Sequence, residues 1–305
     1  MGQSKDNSVK VAIIVLNWNG WQDTIECLES LLKLNFSDYQ IMVVDNGSTD
    51  DSAEIIKAWA KDKTSVALIE TGKNLGFAGG NNVGLRFALS KSFDYFWILN
   101  NDTVVEPDAL HYLVERMRVR PDAGICGSTI LYYHDRNRIW ALGGAYNKWF
   151  AEGRHFEINK TFDRSRIDKY QKLERKLDYI VGASMLVSRS FLQDVGLMCE
   201  DYFLFFEELD WAMRARGRYR LALAPKAVIY HKVGVSITKS EGGKQRRFNL
   251  TADYYGTRNR LAFTRKYFPY ALPTLYLSIL GYIIDRIRVR AWENAAMIAR
   301  IAVGK

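Results

Sequence analysis

Val11-Ala-Ile-Ile-Val-Leu-Asn-Trp-Asn-Gly20 and Ile41-Met-Val-Val-Asp-Asn-Gly-Ser-Thr-Asp50 decide the fold. Each opens as an unbroken apolar run rich in β-branched residues and stops in a cluster of short polar ones. Short apolar runs without alternation suit strands covered on both faces. Val66-Ala-Leu-Ile69 and Tyr95-Phe-Trp-Ile-Leu99 repeat the pattern. Helical spacing fills the gaps: Ile25, Leu28, Leu31 and Leu32 within Trp21 to Leu34, Ile55, Ile56 and Trp59 within Asp51 to Ala60, and the stretch Leu75 to Leu89. That order predicts an α/β sandwich with a mostly parallel central sheet.

Outward from this half the pattern is more mixed. Ile125 to Tyr133, Tyr179 to Val187 and Leu221 to His231 read as strands, the last broken by Pro225. Asn137 to Lys176 is rich in aromatics and charges without periodicity and reads as a loop-rich insert. From Phe248 onward the chain reads as helical and basic. There is no internal repeat and no low-complexity linker, so one globular body with a C-terminal helical extension is the simplest layout.

The formal net charge of +9 over 305 residues is unevenly placed. Residues 1–213 carry 24 Lys and Arg against 30 Asp and Glu, whereas residues 214–305 carry 19 against 4. A basic C-terminal third points to an anionic partner: nucleic acid, a phospholipid surface or a pyrophosphate. No recognised nucleic-acid motif accompanies it, which argues against the first. Cys27, Cys126 and Cys199 form no Cys-x-x-Cys pair, so a thiolate zinc site is not expected, and a reducing, cytoplasmic compartment fits. Met1 to Lys10 has no apolar core of a signal peptide. Leu272 to Ile284 is the longest apolar stretch; with Pro273 and Gly281 inside it, it is too short to span a bilayer as a helix.

In open α/β sheets ligands sit beyond the carboxyl ends of the strands. Those ends are polar here: Asn17-Trp18-Asn19-Gly20, then Asp45-Asn46-Gly47-Ser48, then Asn74-Leu75-Gly76-Phe77-Ala78-Gly79-Gly80-Asn81-Asn82, then Asn100-Asn101-Asp102. Asp45 at a buried strand end suits a carboxylate accepting from a pyrimidine N–H, although Asp-Asn-Gly-Ser also spells a turn. Glycines in the third segment let backbone N–H groups approach phosphate or sugar. Their spacing is not that of a dinucleotide fingerprint. A nucleotidyltransferase or NAD(P)-dependent enzyme would place a tight phosphate loop after the first strand, where this chain has Asn17-Trp18-Asn19-Gly20.

Taken in order, these motifs resemble those of the large inverting family 2 of GT-A glycosyltransferases, and within it the bacterial rhamnosyltransferases. Phe206-Glu207-Glu208-Leu209-Asp210-Trp211 and Tyr230-His231-Lys232 extend the likeness over most of the chain. The resemblance implies a GT-A catalytic domain over residues 1–247, with a nucleotide-sugar-binding half at 10–116 and an acceptor half at 117–247. The basic helical extension is 248–305. Donor contacts are expected at Asn17, Asn19, Asp45, Asn74, Gly79, Asn82, Asn100, Asn101 and Arg258. A divalent metal, Mn²⁺ or Mg²⁺, is expected on Asp102 and His231; Asn100 stands where the family's Asp-x-Asp motif has its first Asp. Glu208 takes the position of the general base, with Glu207 and Asp210 as alternatives. Arg258 and Arg260 either hold pyrophosphate or pack the C-terminal helix.

The activity so implied is inverting transfer from a dTDP- or UDP-sugar, with dTDP-L-rhamnose the first candidate, to a glycan or lipid-linked acceptor in cell-surface polysaccharide synthesis. A non-catalytic sugar-nucleotide-binding scaffold of the same fold is the alternative that Asn100 and Glu208 leave open. Leu272 to Ile284, followed by Arg286, Arg288 and Arg290, suits a helix lying on an anionic membrane surface, on the inner face of the cell membrane. The other reading is packing on the protein body or on a second copy in a homodimer.

Overall fold

The computed structural model describes residues 9–233 and 249–304. Residues 1–8, Gly234 after the His231 motif and the expected boundary at 247/248 lie outside them. The first four apolar runs form parallel strands β1 (Val11–Asn17), β2 (Tyr39–Asp45), β3 (Val66–Glu70) and β4 (Tyr95–Asn100). They alternate with helices α1 (Trp21–Leu31), α2 (Ser52–Ala60) and α3 (Gly76–Leu89). Later strands are β5 (Thr103–Val105), β6 (Ala123–Tyr132), β7 (Ile139–Ala141), β8 (Gly144–Asn147), β9 (Glu152–His155), β10 (Ser184–Ser188) and β11 (Arg220–His231). The main sheet runs β3-β2-β1-β4-β10-β6-β11-β5, with β7 beside β6. β10, β5 and β7 oppose the direction of the rest.

Because β1 lies between β2 and β4, the chain reverses its direction of winding there, the point at which an open α/β sheet offers a ligand crevice. Alternate residues of these strands feed two cores. Ile13, Val15, Val43, Trp97 and Leu99 face Cys27, Leu28 and Leu31 of α1 and Leu110 and Leu113 of α4 (Ala109–Val119). Ile14, Val44, Phe96 and Ile98 face Ala78 and Leu85 of α3. The glycines of α3 serve this second layer: a Cβ on Gly80 would stand 2.4 Å from Leu16 Cδ1, and one on Gly84 2.8 Å from Ile14 Cγ2.

Two expectations need correction. Only Ser184–Ser188 of the run Tyr179 to Val187 is strand; Ser184 N–H turns back to the Val181 carbonyl at 3.1 Å, and Tyr179 joins the β8–β9 hairpin through Gly144. The 137–176 insert is not all loop. It holds β7, the β8–β9 hairpin and the short helix α5 (Ile167–Gln171), elements too brief to show a period. Pro225 sits where the β11 register shifts against β6, between Ala224 and Val228, and Thr129 Oγ1 donates to its carbonyl at 2.8 Å. A residue without an N–H is tolerated where the ladder is already interrupted.

After α6 (Arg189–Val195) and α7 (Glu207–Ala215), the C-terminal part is helical as expected: α8 (Leu250–Tyr267), α9 (Leu272–Arg288) and α10 (Trp292–Ala302). Leu261, Leu275, Ile279 and Ile298 pack them together. Among the described residues no helix is long and apolar enough to cross a membrane.

Candidate active site

Strand register lines up the polar ends. Asn17 stands opposite Asp45, and Leu16 opposite Asn100. The buried Asn17 amide donates to Asp45 Oδ2 at 2.7 Å and accepts from Thr24 Oγ1 at 2.7 Å; Asn101 Nδ2 donates to that same hydroxyl at 2.9 Å. Ser48 adds its N–H to Asp45 Oδ1 (2.9 Å) and its hydroxyl to Oδ2 (2.6 Å). Three donors therefore fix the Asp45 carboxyl group at the sheet's carboxyl edge. Asn19, with φ at 51°, ties the loop after β1 to the loop after β2: its N–H reaches Ser48 Oγ and its Oδ1 accepts from Thr49 N–H.

Across the β5–β11 pairing, Thr103 stands opposite His231, which brings Asp102 beside that histidine. His231 Nε2 lies 3.1 Å from Asp102 Oδ1, yet neither this oxygen nor His231 Nδ1 has a hydrogen-bond partner, although both residues are buried. A buried carboxylate oxygen without a donor is costly. The cost at Oδ1 disappears if this oxygen and the facing His231 Nε2 turn lone pairs on one cation: ligands at about 2.1 Å from one ion and at right angles stand about 3.0 Å apart. The residues thus fit a divalent metal. Among the described residues no third His, Cys, Asp or Glu completes a cluster, so a divalent ion held by this pair would draw its remaining ligands from substrate and water. Lys232 braces the pair: its N–H donates to the Asp102 carbonyl (2.9 Å) and its ammonium clamps Asp23 (2.6 Å) and Glu26 (2.5 Å) of α1.

The acidic motif opens α7 after two residues in the left-handed region, Phe205 (φ 68°) and Phe206 (φ 74°). Consecutive phenylalanines seldom adopt this conformation without support. Asn259 supplies it: the Nδ2 of this buried α8 residue donates to the carbonyls of Leu204 (2.8 Å) and Phe205 (3.0 Å), while Arg258 donates to the Asp201 carbonyl (2.9 Å). From the other side Phe77 N–H donates to the Phe203 carbonyl at 2.7 Å; a Cβ on Gly76 (φ 73°) would strike that carbonyl.

Glu207 is buried and Glu208 half-buried, and the Oε2 of each is sealed from solvent without a partner. Burial pushes both carboxyls up, with the neighbouring charge of Glu208 adding to the rise at Glu207. Asp210 has the opposite fate. Burial alone would raise it, but Lys266 (2.8 Å), Tyr267 (2.7 Å) and Arg214 (2.8 Å) surround it and hold it below the usual carboxylate range. It is a wholly buried charged anchor between α7 and α8.

Of the other expected donor contacts, Asn74 accepts from Gly76 N–H and from Asn46, and Asn82 is buried with its amide on Met198 and Glu200. Gly79 sits against Leu75 and Glu200. Asn74 orders the turn into α3, whereas Asn82 braces the segment before the acids through Met198 and Glu200, and Arg258 braces it from α8. Asn100 is half-buried at the open end of β4.

Thr24, Ser48 and Asn259 were not singled out from the sequence, nor was an aromatic group beside His231. Trp140 meets the His231 ring at 4.6 Å and the His155 ring at 5.0 Å; Tyr179 Oη lies 3.0 Å from His155 Nδ1. Burial and the nearby His231 hold the His155 imidazole below its ordinary range, and the Glu208 charge reaches Tyr179. The available signal was the aromatic richness of the 137–176 insert.

A family model described as Glycosyl transferase family 2 matches residues 12–196, more than half of the chain. Poly-beta-1,6-N-acetyl-D-glucosamine synthase of Staphylococcus aureus is 28% identical over 210 residues, 68% of this chain and 46% of that protein. The synthase of the same name from Staphylococcus epidermidis is 25% identical over 74% of this chain and 51% of its own length. The chain thus spans about half the length of these curated relatives. Among solved structures, the mannosyltransferase PcManGT from Pyrobaculum calidifontis, in complex with GDP-Man and Mn²⁺, superposes with a TM-score of 0.58 at 16% identity, covering 98% of this chain and 87% of that one. S. aureus TarS in complex with UDP gives 0.50 at 18% identity, over 73% and 60% of the respective chains.

Proposed function

The chain belongs to glycosyl transferase family 2 and has the GT-A fold, and on that premise we propose that it is a metal-dependent, inverting glycosyltransferase with Glu208 as its base. The observation that supports this most is the unpartnered Asp102 Oδ1 facing His231 Nε2 at 3.1 Å at the sheet's carboxyl edge. Asp102 and His231 would hold the divalent metal, which supplies charge neutralisation to a nucleoside diphosphate leaving group. Borderline nitrogen plus hard oxygen ligation suits Mn²⁺ as well as Mg²⁺.

The chain's own part is positioning and proton transfer. Asp45, fixed by Asn17 and Ser48, presents a carboxyl edge to a pyrimidine base. Glu208 takes the proton of the acceptor hydroxyl as that oxygen attacks the anomeric carbon. A carboxylate with a raised proton affinity is a stronger base than a solvated one. Asp210 is unsuited to that work because it is wholly buried and its ion pairs with Lys266 and Arg214 lower its proton affinity, and Glu207 lies deeper than Glu208. His155, Tyr179 and Trp140 line the acceptor side beside His231 and suit the apolar face and hydroxyls of a sugar.

A dTDP- or UDP-sugar is the proposed donor, with dTDP-L-rhamnose first on the strand-end motifs, and a glycan or lipid-linked acceptor of a cell-surface polysaccharide is the proposed substrate. The catalytic domain is proposed to span 1–247 and the basic extension 248–305. Thermal shift with UDP-, dTDP- and GDP-sugars, each with Mn²⁺ or Mg²⁺, tests the donor class, since a ligand bound only to the native state raises its melting temperature. A rise confined to pyrimidine nucleotides with metal supports the reading; a rise with GDP-sugars alone contradicts it.

A further inference from the structure

Helix α9 is apolar on two opposite sides. Leu275 and Ile279 are buried against α8 and α10. Turned the other way are Tyr276, Leu277 (68% exposed), Leu280 (52%), Ile284 and Ile287, at helical spacing along one outward stripe. A surface helix ordinarily turns charge to solvent, and an outward apolar stripe of this length marks a covered face. Aromatic residues stand at both ends. At the start Trp149 meets Tyr270 edge-on at 5.5 Å, and Thr274 Oγ1 ties the Trp149 carbonyl to the helix. Past the end, Trp292 is 60% exposed.

Cations flank the same ends. Lys148 lies over the Trp149 and Tyr270 rings, at 5.6 and 5.5 Å, and exposed Arg288 and Arg290 follow Ile287. Among the described residues neither arginine has an acidic partner, whereas Asp285, the acid on the stripe's flank, is already paired with Arg286 at 2.8 Å. Apolar stripe, terminal Trp and Tyr, and unneutralised Lys and Arg together are the chemistry of a helix lying in a bilayer interface. A two-fold pairing with a second copy fits worse. An antiparallel contact along this stripe would set Lys148 of one copy near Arg288 and Arg290 of the other, like charges against each other.

We propose that the outward face of α9, with Trp149, Tyr270 and Trp292, docks the protein on an anionic lipid surface. The inference stands apart from the assignment of donor and base.

Co-sedimentation of the full chain with phosphatidylcholine vesicles, and with vesicles containing phosphatidylglycerol, tests it. The expected result is recovery with anionic vesicles at low salt, at least ~10-fold weaker at high salt or with neutral vesicles. Leu277→Glu with Leu280→Glu, and separately Arg288→Glu with Arg290→Glu, should each reduce binding at least ~10-fold while leaving the thermal transition and the sedimentation coefficient of the free protein unchanged. Equal recovery on neutral and anionic vesicles, or wild-type binding by both variants, overturns the proposal. So does a dimer in sedimentation velocity that the leucine variant dissociates, which would make the face a subunit contact.

Discussion

Asp102 and His231 are far apart in sequence, yet a single strand pairing places them 3.1 Å from each other with no hydrogen bond between them. Asp102→Ala is expected to abolish the metal dependence of nucleotide binding together with turnover, read by titration calorimetry of UDP or dTDP with and without Mn²⁺. Metal-dependent binding retained by that variant would remove the assignment. Glu208→Gln should bind donor normally and lose transfer by at least ~100-fold, the scale of a general base. The pH profile has a definite sign. The base works as the carboxylate, and burial pushes the Glu208 carboxyl up to about 7, so transfer should fall as pH drops through that region. A flat profile from pH 5 to 8 would move the role elsewhere. The raised carboxyls also cost stability. A folded-state value above the ordinary 4.5 favours the protonated form, so stability is lost as pH rises beyond 4.5. Glu207→Gln should therefore melt higher than wild type at pH 8, with the difference vanishing near pH 4. Asp45, Asp102 and the acidic pair were legible because each follows the visible end of an apolar run or opens a helix. Thr24 and Asn259 were not, because their partners are brought near only by the folded chain.

At the scale of elements, the segment 200–206 is held between two helices. Asn82 and Arg86 of α3 grip Glu200, and Arg258 and Asn259 of α8 grip the carbonyls of Asp201, Leu204 and Phe205. The extension thereby braces the turn that leads into Glu208. Asn259→Leu leaves two carbonyls short of a donor and should cost about 1–3 kcal/mol. Beyond that, it should lower kcat more than donor KM by freeing the turn, and Phe206→Gly in the same chain should restore part of kcat by relieving the left-handed strain. Equal loss in kcat and stability without rescue would reduce Asn259 to a packing residue. Asp210→Asn should cost about 1.5–3 kcal/mol, because the charge-assisted bonds from Lys266 and Arg214 are lost while those cations remain partly solvated. The Asp210 value is depressed, so its contribution is present above the ordinary 3.8 and is lost as pH falls below it. The alternating elements of the first half were readable from apolar period alone. The β8–β9 hairpin and the strained turn were not, since short strands and positive φ leave no periodic trace.

Across the whole molecule the charge asymmetry, acidic toward the N-terminal body and basic in the last third, resolves into two jobs. Some basic residues are spent inside: Arg286 pairs with Asp253 at 2.8 Å, Lys266 with Asp210, and Lys232 with Asp23 and Glu26. Others remain outside, beside the apolar stripe of α9. The sheet order β3-β2-β1-β4 places the strand ends, α1 holds Lys232 beside Asp102 and His231, and α8 braces the turn before Glu208, so on the proposed function the C-terminal helices and the sheet edge act together. The most direct test is release of nucleoside diphosphate from dTDP- and UDP-sugars by wild type, with Mn²⁺ and with EDTA, beside Asp102→Ala and Glu208→Gln. Release that needs the metal and falls at least ~100-fold in both variants is the predicted result. Undiminished release in EDTA, or wild-type release by Glu208→Gln in the presence of acceptor, would contradict it.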